Sequence, residues 1–221
     1  MPRVSKVQAE ANHQAIEDAA SRLFRERGLQ SVTVAEVMAE VGMTHGGFYA
    51  HYASKDALAA SACASAFAVA DEKWRRRIEA AATPVEARQT IAERYLQPAH
   101  RDPAAASCPT ATLATDVARA DAAHPIRATY VQGLRTQVER LAALGVSGDP
   151  GRDRADACVQ LATMMGALLL ARACHGDPLS DEIAEAARAA LTGEVLPSAP
   201  VRPTPSSKPR RTTRATAGRT R

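Results

Sequence analysis

Aromatic side chains are scarce in this chain: three Phe, four Tyr and one Trp among 221 residues. β-branched runs are equally rare, so the composition speaks against an all-β sandwich. Only four cysteines are present, Cys63, Cys108, Cys158 and Cys174, widely spaced and without a CxxC or Cys/His cluster. A disulfide scaffold and a structural metal are therefore not expected, and nothing calls for a cofactor. Nor does any apolar run approach the ~20 residues of a membrane-spanning helix; the longest, Leu161 to Ala171, is 11 residues and contains Thr163. The polar stretch from Met1 to Glu10 has no apolar segment of the kind a signal peptide needs. A reduced cytoplasmic protein without a membrane partner is the expectation. His100, His124 and His175 lack ligand spacing. No Ser/His/Asp set, paired-acid motif or phosphate loop suggests an enzyme.

What is abundant is alanine, with 49 residues. Alanine has the highest helix propensity and a small radius, which suits closely packed helices. The net charge of +4 is also distributed unevenly. Seven of the 28 basic residues and none of the 24 acidic ones fall in 197–221, leaving the body with 21 basic and 24 acidic residues. Net charge therefore does not argue for nucleic-acid binding, which needs local evidence. That Pro-, Ser-, Thr- and Arg-rich tail (Arg202, Lys208, Arg210, Arg211, Arg214, Arg219, Arg221) has little to bury and is expected to be disordered.

Periodicity predicts an all-α chain of about nine helices. After a flexible arm at 1–10, Ile16, Ala20, Leu23 and Phe24 recur at helical spacing up to Gly28. Thr33 and Glu36 form a capping-box pattern before a short helix that Gly42 ends. Thr44 offers a cap to a two-turn helix reaching about His51, and Ser54 caps a long helix to about Ala80. Thr83, Pro84 and Glu86 start another, which runs to Pro98. A Pro/Ala loop to Ala106, one shorter helix with Leu113 and Val117, and a helix from Pro125 closed by Gly145 follow. After a loop at 148–152, an apolar helix from Asp153 to Cys174 and a last one from Ser180 to Leu191 complete the body.

Residues 33–58, TVAEVMAEVGMTHGGFYAHYASKDAL, read as a short helix, a glycine turn and a second short helix crossing it. In a helix-turn-helix the second helix enters the major groove and its first residues reach base edges. Gly46 and Gly47 each cost such a helix about 1 kcal/mol against Ala, so close approach of backbone to DNA is a reason for their presence. Tyr49, His51, Lys55 and Thr44 can donate to phosphates; Val41, Phe48, Tyr52 and Leu58 suit packing.

In this register the segment resembles the TetR family of bacterial transcriptional regulators. The family signature G-[VMI]-[ST]-x-G-x-[LFI]-Y-x-[HY]-F-x-[ST]-K-[ED]-x-L is matched at Gly42, Met43, Thr44, Gly46, Phe48, Tyr49, His51, Ser54, Lys55, Asp56 and Leu58. Tyr52 stands where Phe is usual, and the THGGFYAHY version looks like a subset of the family. The resemblance implies a DNA-binding domain at 11–55 and an effector-binding and dimerisation domain at 56–196. It implies a repressor on a double-stranded palindromic operator, released by a small molecule. Thr33, Thr44, His45, Gly46, Gly47, Tyr49, His51 and Lys55 are its candidate DNA contacts. Charge at 1–55 balances, six basic against six acidic, so placement must do the electrostatic work.

Candidates for an effector pocket are Phe67, Trp74, Tyr95, Cys108, Tyr130, Met164 and Met165. Cys108 precedes Pro109 at a helix start, where the dipole favours a thiolate, so a redox- or electrophile-sensing regulator is the first alternative. Cys63, Cys158 and Cys174 read as core. A helical interaction protein that no longer reads DNA is the second alternative. Homodimerisation is expected through 153–192, where the apolar face is broad and Gly166 permits close approach.

Overall fold

The computed structural model describes residues 6–101 and 108–194. These form ten α-helices and one 3-10 helix, with no strand among the described residues. The expected disorder of 197–221 and the first five residues of the expected arm lie outside them.

The first helix, α1 (Lys6–Arg27), begins inside the segment read as an arm. It buries Ile16, Ala20, Leu23 and Phe24 and stops at Gly28, whose φ of 84° is a left-handed conformation that glycine adopts without strain. Next comes α2 (Val34–Glu40), headed by a complete capping box between Thr33 and Glu36. Gly42 (φ 69°) turns the chain into a 3-10 helix, His45–Ala50. Then α3 (Lys55–Ala80), with Ser54 Oγ accepting from the Ala57 amide at 3.1 Å, runs the length of the molecule.

After α4 (Pro84–Leu96) and the single turn α5 (Pro98–Arg101), the chain resumes with α6 (Pro109–Thr112) and α7 (Ala114–Arg119). One helix was expected where α6 and α7 stand. The chain bends at Leu113 because Ala111 packs into one core while Leu113 is buried in the other. Then α8 (Pro125–Ala142) lies along α3. It ends three residues before Gly145, a position where a Cβ would sit 2.1 Å from Asp153 Cγ. The apolar α9 (Pro150–Ala173) starts earlier than expected because Asp149 caps it, accepting from the Gly151 and Arg152 amides. Last is α10 (Leu179–Thr192).

Two apolar cores stack along α3. The first joins Phe24, Met38, Phe48 and Leu58 to Phe67, Leu113, Ile126 and Tyr130, so it crosses from the helix-turn-helix into the later helices. The second contains Trp74, Ile91, Tyr95, Leu141, Met164 and Leu168. By length and composition α9 is apolar enough to cross a membrane. Its inner stripe of Ala157, Leu161, Met164, Leu168 and Ala171 instead packs against α4, α8 and α10, as in a core helix.

Candidate DNA interface and the cavities behind it

Three buried side chains and one backbone hydrogen bond hold the 3-10 helix. Phe48 is fully buried against the first core, Met38 and Val37 of α2 lie beneath it, and the Met43 amide bonds back to the Met38 carbonyl at 2.8 Å. The outer side carries exposed Thr44, His45, Gly46 and Tyr49. Tyr49 is 64% exposed, and its ring meets His45 edge-on at 6.0 Å. Gly47, His51 and Lys55 are half-buried. The balanced charge has a structural counterpart: Arg22 and Arg27 pair with Glu40 and Glu36 of α2.

One expectation needs correction here. Thr44 occupies the cap position, but its hydroxyl makes no capping bond. The 3-10 winding commits the Gly47 amide to the Thr44 carbonyl at 3.0 Å, using the donor that a hydroxyl cap requires. Thr33, named as a DNA contact, has its hydroxyl engaged in the capping box, 2.8 Å from Glu36 Oε2.

Neither glycine is required by the protein's own packing. A Cβ on Gly46 would meet nothing within 4 Å, and one on Gly47 would make only ordinary contacts at 3.7 Å with Met38 and Thr44. Neither has positive φ. Neither packing nor backbone conformation within the described residues therefore demands glycine at these two positions.

The Tyr52 departure from the family pattern has a structural role. Its buried hydroxyl is 3.0 Å from His13 Nε2 and 3.3 Å from Glu17 Oε2, and its ring stacks on His13 at 4.5 Å. Ser61 Oγ also donates to Glu17. Burial pushes the Tyr52 phenol up to about 12, so it remains a neutral donor. A Phe could not link α1 to α3 in this way. Nothing in the spacing of His13 and Glu17 marked them in advance.

The seven candidate pocket residues are dispersed. Phe67 borders a groove of about 510 Å3 between α3 and α8, where its ring covers Gly133. Trp74, Tyr95 and Cys108 line a smaller cavity of about 130 Å3. Tyr130, Met164 and Met165 border neither space: Tyr130 donates to the Thr110 carbonyl at 2.6 Å, and the two methionines pack in the second core. Cys108 heads only the single turn α6, is 4% exposed, and accepts from Gln137 Nε2 at 3.3 Å. Of the cysteines expected in the core, Cys63 is buried and Cys174 half-buried, but Cys158 is exposed on the outer face of α9.

The smaller cavity also holds groups that sequence reasoning missed: Arg25 of α1, Lys73 and Arg77 of α3, and His100 of α5. The Tyr95 hydroxyl and His100 Nε2 are buried there without hydrogen-bond partners among the described residues. Cys108 is near enough to help burial raise the Tyr95 phenol, but not in a geometry that makes a hydrogen bond. A buried polar group left unpaired costs about 1–3 kcal/mol.

Fold and surface together define a helix-turn-helix protein whose reading helix is carried on a larger helical body. Residues 16–62 match the model of the bacterial regulatory proteins of the tetR family. Over 42 residues the chain is 45% identical to YerO of Bacillus subtilis (strain 168), an uncharacterized HTH-type transcriptional regulator. That stretch is 19% of this chain and 14% of that relative's length. A TetR transcriptional regulator from Chloroflexus aurantiacus J-10-FL superposes with a TM-score of 0.71 at 22% identity, over 85% of this chain and 95% of that one. The reduced form of Escherichia coli NemR gives 0.69 at 18%, over 83% and 97%. The chain thus has the fold of TetR-family transcriptional regulators and carries that family's helix-turn-helix domain.

Proposed function

We propose that the protein is a homodimeric transcriptional repressor that binds a palindromic operator and is released by a small-molecule effector. The observation that carries this reading is the 3-10 helix His45–Ala50, buried on its Phe48 side and open on the side of His45, Gly46 and Tyr49. Residues 11–55 act as the reading unit and 56–196 as the effector and dimer unit. Tyr49, His51, Lys55 and the free Thr44 hydroxyl contact phosphates, and His45 reaches a base edge or the adjacent backbone. Gly46 and Gly47 let the main chain approach the duplex. Specificity is then shared between few side chains and DNA shape. An operator-binding role also implies a cytoplasmic location.

Dimerisation is proposed through α9 and α10. Support comes from the outer stripe of α9, where Cys158, Val159, Ala162 and Leu170 are exposed and half-buried Gly166 has open space beside it. Two copies of α9 and α10 make a four-helix interface. Half-sites about 34–36 Å apart then fix the required separation of the reading helices, and an effector acts by favouring another separation.

Binding of the full chain to its own upstream DNA over a salt series tests the proposal. Sequence-selective binding with a steep salt slope, weakened by Lys55→Ala with Tyr49→Ala, is expected. Binding indifferent to sequence and to both substitutions overturns it and favours a helical interaction protein. The redox-sensing alternative draws support from Cys108 in the wall of the smaller cavity. Unchanged oxidant-driven release in a Cys108→Ser variant would remove it.

A further inference from the structure

The small cavity at the junction of α1, α3, α4, α5 and α6 brings several cationic side chains together. Arg25, Lys73 and Arg77 contribute three cationic side chains, and no Asp or Glu is among its described lining residues. Concentrating cations around an enclosed space raises the local potential and favours an anion there.

The polar groups inside have the matching property. Tyr95 is 2% exposed, and its hydroxyl, like His100 Nε2, has no hydrogen-bond partner among the described residues. The two rings lie 4.9 Å apart, so both groups belong to one site. A phenol donates to a carboxylate oxygen, and neutral His100 does the same in its Nε2–H tautomer. Burial holds the imidazole down at about 4, with Arg172, Arg77 and Lys73 adding to the effect. Burial also lowers Arg77, with Arg94 assisting, so an opposite charge beside it would be favourable.

Size and wall composition narrow the ligand. The cavity measures about 130 Å3, close to the ~150 Å3 of a site that accepts one benzene-sized ring. Trp74 forms an apolar wall, and it is the only tryptophan in the chain.

We propose that this cavity is a receptor for a small organic carboxylate with one apolar group, held by Arg25, Lys73 and Arg77 and by the Tyr95 and His100 side chains. The ligand joins α1, the first helix of the reading unit, to α3, α4 and α5. Arg25 lies one residue beyond Phe24, which shares the first core with Phe48 of the 3-10 helix. Drawing Arg25 toward the cavity therefore moves the helix on which the reading segment rests. The coupling, though not the binding site, rests on the repressor reading.

Titrating the full chain with benzoate, and with the uncharged isostere benzamide, while following Trp74 fluorescence tests this. Saturable binding of benzoate about tenfold or more tighter than benzamide is expected. Arg77→Gln and, separately, exposed Lys73→Gln should each weaken benzoate several-fold and leave benzamide unchanged. Tyr95→Phe should weaken benzoate without lowering the melting temperature. Equal binding of the two probes, or no saturable response to benzoate at millimolar concentration, overturns the proposal. Operator titrations with and without benzoate separate the two readings. Selective DNA binding without benzoate binding removes this site alone, and benzoate binding without selective DNA binding removes the repressor alone.

Discussion

The Leu29 amide donates to Asp116 Oδ2 at 3.2 Å, joining the end of α1 to α7 across 87 positions of sequence. The same carboxylate lies against Gly28, whose absent Cβ would be 3.2 Å from Oδ2. The loop that leaves α1 is therefore held by a charged acceptor from α7. Hydrogen bonds to charged groups contribute about 1.5–3 kcal/mol when well shielded, and this one is partly so. Asp116→Ala should cost about 1–2 kcal/mol in urea unfolding. Operator affinity should fall with it, because the bond positions the first helix of the reading unit. An unchanged unfolding midpoint would show that water replaces the bond at no cost.

Gly46→Ala separates folding from DNA binding. Nothing lies within 4 Å of the new methyl group, and alanine is the better helix former by about 1 kcal/mol. Thermal unfolding should rise or stay level while operator affinity falls at least about tenfold. Retained operator affinity in a stabilised variant would mean that the backbone at Gly46 does not approach the duplex.

Gly133→Ala should act in the opposite way. The added Cβ would fall 2.3 Å from Phe67 Cγ, the fixed root of the ring rather than a movable end. Overpacking of this kind costs about 1–3 kcal/mol, more than the helix-propensity gain. A lowered unfolding midpoint is expected, and in a Phe67→Ala background, which removes that Cγ, Gly133→Ala should cost less. Additive losses in the double variant would place the strain elsewhere.

Acid should destabilise the protein through His100. Its imidazole is held down at about 4 in the fold, first by burial and then by Arg172, Arg77 and Lys73. In the unfolded chain it titrates near ~6.5. Between these values the unfolded state binds the extra proton, so stability falls as pH drops from about 6.5 to about 4, and the full loss is present below about 4. The loss should be about 1–3 kcal/mol, the lower part of that range reflecting solvent screening. Urea midpoints of His100→Gln should change less over this window than those of the parent. Equal slopes would assign the acid sensitivity to other groups.

Much of the architecture was legible along the chain because its signals are local. The capping box of Thr33 and Glu36 and the stops at Gly28 and Gly42 depend on residues within a turn of one another. The cap of Thr44 was misread because side-chain chemistry alone does not tell α from 3-10 winding. Periodicity likewise finds the apolar residues of α3 but not which core each enters. Phe67 and Trp74, seven positions apart, face different cores and different cavities.

By itself the sequence determined the helical class, the helix-turn-helix and the residues offered on its outer side, since capping, propensity and spacing act over a few residues. Only the tertiary structure decided that Tyr52 engages His13 and Glu17, that Cys108 is buried, and that Arg25, Lys73, Arg77, Tyr95 and His100 share one cavity. Those five groups come from four helices, with up to 75 positions between them in the chain, counted from Arg25 to His100. Their meeting depends on how α1, α4 and α5 pack around α3, and no local pattern encodes that packing.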